Sequence, residues 1–146
     1  MSRDLGPELP PRLLRRLAGD AESVIEDTAV PICTVDDEGF PHAAMLTYAQ
    51  LEAVSASAIR ATVYGSSGTA RHLRRDGRAT LLFVDPEGVW YVKVQASPEV
   101  AEVRTPGGAA FVLGVHAVTA DAVDQDREAA AAIVSGIRFR RTGAGS

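Results

Sequence analysis

The sequence predicts a mainly β protein, an antiparallel barrel or sandwich with short helices at its rim. Short apolar or alternating segments recur about every 8 to 12 residues. Clusters of turn formers separate them, at Asp36-Asp37-Glu38-Gly39, Asp85-Pro86-Glu87-Gly88 and Pro106-Gly107-Gly108. Strand follows strand without long crossover helices, which disfavours a doubly wound parallel sheet. About six strands and three short helices result.

The elements follow in chain order. Residues 1–9 carry Asp4 and Glu8 and no apolar run, so they read as a flexible lead and not as a secretory signal. Pro10 to Leu17 places Leu13, Leu14 and Leu17 at helical spacing opposite Arg12, Arg15 and Arg16, with proline at the start and Gly19 at the end. Asp27 to Val35 is a strand rich in Val, Ile and Thr, and Pro31 suggests an edge position or a bulge. Phe40 to Tyr48 is the second strand, and Leu51 to Ser57 is a connection of open type. Ala58 to Tyr64 alternates Ile59, Ala61 and Val63 against Arg60, Thr62 and Tyr64, which is the period of a strand.

Gly65 to Gly68 breaks that strand, and Thr69 to Asp76 reads as a short helix stopped by Gly77. Arg78 to Val84 is a nearly continuous apolar strand, and Val89 to Ala96 an alternating one. There Trp90 and Tyr91 face opposite sides, so one should enter the core, and Lys93 shares the face of Tyr91. Ala109 to Val123 holds a long strand or a pair of strands. Asp126 to Val134 is an alanine-rich helix, Ser135 to Arg141 a candidate last strand, and 142–146 a loose tail.

The chain has 146 residues, 46% hydrophobic and 23% charged, with a net charge of −4, which suits a single folded domain over 1–146. One cysteine, Cys33, excludes a disulfide scaffold, and in a strand it reads as a small apolar residue. No apolar run reaches membrane-spanning length. A cytoplasmic protein with no membrane and no nucleic-acid partner is the expectation, since net acidity argues against the latter. Charge is uneven, however. Arg60, Arg71, Arg74, Arg75 and Arg78 oppose only Asp76 in their stretch, whereas 20–38 holds seven acids and no Lys or Arg. The basic stretch is where an anionic ligand would be welcome.

The strongest local signal for chemistry is Tyr64 to Leu73, YGSSGTARHL. A strand runs into a Gly/Ser turn that opens a helix, where free backbone N–H groups form an anion site. Ser66, Ser67 and Thr69 add hydroxyls, and Arg71, Arg74 and Arg75 are spaced to share a helical face. That set suits a phosphate; an N-capped helix with exposed arginines has the same pattern. No GK[ST] follows, so this is not a P-loop. His42, His72 and His116 show no metal-ligand spacing, and no GxSxG elbow exists.

Taken in order, these pieces resemble the pyridoxamine 5'-phosphate oxidase-like family of FMN-binding split barrels. CTVDDEGFPHAAML (33–46) is similar to its TVDxxGxP entry hairpin, SGTARHLRRDGRATLLFVD (67–85) to its Ser-Arg-Lys-x-x-x-Leu segment and the strand beyond, and WYVKVQA (90–96) to its long central strand. The likeness covers about residues 10 to 123. It implies a six-stranded split barrel, a homodimer, and FMN in the groove between subunits. Ser67, Gly68 and Thr69 fall on the implied phosphate loop, flanked by Ser66 and Arg71. Ala44 and Met45 fall on the second-strand ring contacts, Thr62 and Val63 on the third-strand contacts, and Trp90 near a ring-contacting glutamine.

The chain departs from the oxidases at charged positions: Ala44 replaces an arginine, and Gly68-Thr69 an Arg-Lys pair. The arginines that hold pyridoxamine phosphate have no counterpart. The resemblance therefore implies an FMN-binding protein, a flavin-dependent oxidoreductase for a small molecule other than vitamin B6. The alternative is a non-enzymatic or stress-related module on the same barrel that binds haem, a deazaflavin or no flavin, with His42, His72 and His116 as candidate haem ligands.

Overall fold

A computed structural model describes residues 2–18, 28–85, 88–96, 102–121 and 137–139. Among these, nine strands form one curled antiparallel sheet, with two short helices. They are β1 (Ser2–Gly6), α1 (Pro11–Arg16), β2 (Ala29–Val35), β3 (Pro41–Thr47), β4 (Leu51–Ser55), β5 (Ala58–Tyr64), α2 (Gly68–Arg75), β6 (Arg78–Asp85), β7 (Gly88–Ala96), β8 (Glu102–Thr105) and β9 (Gly108–Asp121). The main path runs β3-β2-β6-β7-β9-β5-β4.

The 14-residue β9 is the hub. One edge pairs with β8 and then β7; the other pairs with β5 and then β1. A strand this long serves four partners because each residue offers hydrogen bonds to both sides. Its Ala109, Phe111, Leu113 and Val115 point inward in strict alternation. A bulge then intervenes: Val94 pairs with Val115 but Lys93 with Ala117, so His116 is the extra residue. Beyond it the inward phase moves to Val118.

The barrel interior is filled by Ile32, Ile59, Leu81, Phe83, Val92, Phe111 and Leu113, all fully buried. Trp90 packs against this core while Tyr91 faces out, the split expected from alternation. Leu13 and Leu17 of α1 plug one end. The Leu17 carbonyl accepts from the Ala53 amide at 2.7 Å, and the Leu9 amide donates to the Ala56 carbonyl at 2.8 Å, which fixes α1 on β4.

Several expectations change. The described strands number nine, against about six expected. β1 occupies residues expected to be a flexible lead, β4 the open connection, and β8 was not foreseen, because short edge strands carry little pattern of their own. β2 is not an edge: it pairs with both β3 and β6, and Pro31 lies just beyond the two-residue ladder to β6, so its missing N–H interrupts nothing there. In the expected last strand, Arg138 makes an isolated bridge to Thr28. The expected helix at 126–134, the tail at 142–146 and Gly19 lie outside the described residues.

Candidate functional site

β5 ends at Tyr64, and Ser67 starts α2 three residues later. Ser67 Oγ accepts from the Ala70 amide at 3.1 Å and donates to the Tyr64 carbonyl at 2.7 Å. This cap satisfies one orphan donor of the helix start and uses the hydroxyl fully. The amides of Gly68 and Thr69 donate to no acceptor among the described residues. Ser66 is exposed beside them, while Thr69 is 2% exposed and belongs to the packing of the helix.

Gly68 lies against a histidine that the sequence did not single out for this place. A Cβ on Gly68 would stand 3.3 Å from His42 Nε2. His42 in turn meets His72 edge-on, with ring centroids 4.9 Å apart. His72 is buried, and its Nδ1 shares a 2.7 Å hydrogen bond with Thr34 Oγ1. Burial pushes the His72 pKa down, reinforced by His42, Arg75 and Arg71 and opposed by Asp37. His72 is therefore held as the neutral imidazole, and among the described residues neither its Nε2 nor His42 Nδ1 has a hydrogen-bond partner. Register could have revealed this pairing: Thr34 lies opposite His42, so both side chains share the face that α2 covers.

The three arginines of α2 do not converge. Arg74 turns to β8, donating Nε and Nη2 to Glu102 at 2.9 and 2.7 Å. Arg75 turns the other way, to Asp37 at 2.8 Å, and also donates to the Val35 carbonyl and to Asp76. Arg71 reaches Asp37 only at 3.7 Å and keeps 65% of its side chain exposed. Of the expected cationic face, Arg71 alone stays loosely held. The others were already claimed by carboxylates distant in sequence.

Two strand edges lie open near this loop. β4 pairs with β5 only as far as Ala61, so among the described residues one edge of Thr62, Val63 and Tyr64 has no strand partner. β3 pairs with β2 and with no other described strand, leaving one edge of 41–47 free. Gln50, in a 3-10 turn at Tyr48–Gln50, ties the two ends: its Nε2 donates to the Thr62 carbonyl at 3.0 Å and its Oε1 accepts from the Thr47 amide at 2.9 Å. The residues expected against a ring sit on these edges. Ala44 packs toward the core and Val63 is buried, whereas Met45 faces outward and Thr62 is half-buried. Trp90 is on β7, packed against the core.

The opposite face of β2 carries a separate groove of about 510 Å³. Cys33, Val35 and Pro41 form its apolar wall, and Arg78, Lys93 and His116 line it as well. Cys33 is thus half-buried in a groove wall and not in the core. Of the candidate haem ligands, His116 is exposed and His72 is closed off. Among the described residues there is no His/Cys/Asp/Glu cluster that could hold a metal ion, and no helix long and apolar enough to cross a membrane.

The geometry defines a curled antiparallel barrel with a capped helix start beside open strand edges. A family model described as "Pyridoxamine 5'-phosphate oxidase" matches residues 20–140, and the chain belongs to that family. Uncharacterized protein YclD of Bacillus subtilis (strain 168) is 29% identical over 87 residues, 60% of this chain and 56% of that protein, so the match spans little more than half of this relative. A proposed pyridoxamine 5'-phosphate oxidase from Lactobacillus delbrueckii superposes with a TM-score of 0.59 at 14% identity, over 80% of this chain and 98% of the other. An FMN-binding protein from Syntrophomonas wolfei subsp. wolfei gives 0.56 at 17%, over 77% and 88%. The flavin reductase of styrene monooxygenase from Pseudomonas putida S12 gives 0.51 at 11%, over 63% and 77%. At these identities the likeness is one of fold.

Proposed function

We propose that this chain binds FMN, with the phosphate at the start of α2, and serves as a flavin-dependent oxidoreductase for a small molecule other than pyridoxamine phosphate. The observation that carries the reading is the pair of unclaimed amides at Gly68 and Thr69, opened by the Ser67 cap. The fit to a phosphate monoester is good. The helix start offers two amides, Ser66 an exposed hydroxyl, Arg71 is only loosely held, and Gly68 adds no side chain of its own beside the His42 ring. The free edge along β3 presents backbone groups that a planar heterocycle with polar edges would satisfy, whereas the Thr62 and Tyr64 carbonyls are already engaged by Gln50 and Ser67.

Bound FMN would supply the redox chemistry. The protein's part is to hold and orient. Ser66, Gly68, Thr69 and Arg71 take the phosphate; Ala44, Met45, Thr62 and Val63 offer their strands to the ring. Phe40, Met45 and Tyr64 are 63%, 40% and 75% exposed, and we read them as covered by a second copy of the chain in a homodimer.

The test is a titration of the purified protein with FMN, followed by flavin fluorescence, alongside light scattering for mass. Saturable binding that Gly68→Asp abolishes and Arg71→Ala weakens about tenfold, the scale of one exposed charge-assisted hydrogen bond, supports the reading. A protein that purifies colourless and leaves FMN fluorescence unchanged overturns it, and a monomeric mass overturns the dimer.

A further inference from the structure

The groove on the outer sheet face has no part in the site above. Thr34 bonds inward to His72 beneath α2, so by alternation its neighbours Cys33 and Val35 point to the other side of β2. The groove is built across β2, β6, β7 and β9. Cys33 pairs with Thr80 and Thr80 with Lys93, which makes one rung; Arg78 pairs with Gln95 in the next rung on the same face. Arg78 and Lys93 are therefore diagonal neighbours, with backbones about 7–8 Å apart, within reach of one another for side chains this long.

Neither Arg78 nor Lys93 closes an ion pair with a side chain of the described residues, and no carboxylate lines the groove. Arg60, Arg74 and Arg75 are matched by Glu52, Glu102, Asp37 and Asp76, and Arg71 reaches Asp37 only at 3.7 Å. In a chain of net charge −4, two cations without a direct ion pair line one concave place, Arg78 being felt by Asp76 only at longer range. A third polar group is aimed there by a device of its own: His116 is the extra residue of the β9 bulge, and bulges re-aim side chains. Cys33, Val35 and Pro41 form an apolar side of the wall, and Thr34, Thr80 and Gln95 add uncharged polar groups. A volume of about 510 Å³ lies in the range of small-molecule pockets.

We infer that this groove binds a small organic carboxylate with an apolar body. The carboxylate meets Arg78 and Lys93, His116 hydrogen-bonds at its side, and the body lies on Cys33, Val35 and Pro41. The site is separate from the flavin reading, because Cys33, Arg78, Lys93 and His116, which would hold the ligand, are not among the residues assigned to FMN.

Benzoate is the minimal probe and benzamide its uncharged counterpart. Each is titrated into isotope-labelled protein, following backbone amides and the His116 ring by NMR. The expected result is saturation by benzoate below about 10 mM, in keeping with the efficiency of small fragments. Shifts should centre on β2, β6, β7 and His116, with benzamide at least about tenfold weaker. Arg78→Gln and Lys93→Gln should each weaken benzoate about tenfold while the rest of the amide spectrum stays in place. Benzoate should bind equally well with FMN added in excess, whether or not FMN itself binds. Failure of benzoate to saturate, equal binding of benzamide, unchanged affinity in both variants, or displacement of benzoate by FMN each overturns the inference.

Discussion

Gly68 opens α2 at the one point where a Cβ would stand 3.3 Å from the His42 ring nitrogen Nε2. Its φ is not in the left-handed region, so the backbone there would accept alanine. What an added methyl meets is the imidazole, itself braced edge-on against buried His72. Gly68→Ala and His42→Ala should therefore couple. Urea unfolding of the two single variants and the double variant should give an interaction energy of about 0.5 kcal/mol or more, as for groups in contact. Strict additivity would show that the ring gives way freely.

Burial of His72 makes stability depend on pH, and the sign is fixed by the direction of its shift. Its pKa in the folded chain lies below the ordinary 6.5, first because of burial and then because of His42, Arg75 and Arg71. The unfolded chain takes up the proton at higher pH than the folded one. The contribution is complete above 6.5 and is lost as pH falls toward the folded value. Between about pH 7.5 and about pH 5.5, the urea midpoint of the native chain should drop more steeply than that of His72→Asn, by at most about 1.4 kcal/mol per pH unit for one proton. Parallel slopes would mean that His72 is not the group responsible.

Asp37 and an FMN phosphate would compete for Arg71. The present contact is long, at 3.7 Å, and Asp37 is already engaged by Arg75 at 2.8 Å. Asp37→Asn removes the competitor and a repelling charge close to the proposed phosphate position. FMN affinity should rise several-fold, on the scale of a weak exposed ion pair. A fall in affinity would show that Asp37 serves the site by holding α2 in place.

Arg74 joins α2 to β8 through two hydrogen bonds to Glu102, whose carboxyl it holds below the usual range. β8 is four residues long and pairs only with β9 among the described strands, so this link is a main restraint on it. Arg74→Gln should speed hydrogen exchange at 102–105 relative to β7. FMN affinity should change little, because the Arg74 guanidinium is already held by Glu102. Exchange unchanged at 102–105 would mean that pairing with β9 alone secures the strand.

Much of this molecule was legible in one dimension. Period-two alternation at Ala58–Tyr64 and Gly88–Ala96 marked strands, because a side-chain period of two leaves only one face for the core. Leucine spacing marked α1, and the Gly/Ser turn at Gly65 to Gly68 marked the start of α2 to within a residue, since caps and turns are local chemistry. The order of these pieces carried the family as well. β1, β4 and β8 went unread because short strands at sheet edges are specified by the partner they join.

The long-range partners of charged side chains were not legible. Nothing local distinguishes Arg71, Arg74 and Arg75, yet folding sends Arg74 to Glu102 and Arg75 to Asp37 and leaves Arg71 nearly free. Nothing local puts His42 under Gly68, or places Arg78, Lys93 and His116 around one groove. The sequence by itself determined the strands, the caps and the inward phase of most residues, because these depend on neighbours a few positions away. Only the tertiary structure decided which charges meet and which stay unmatched, because the β2–β6–β7–β9 register and the bulge at His116 bring together residues far apart in the chain.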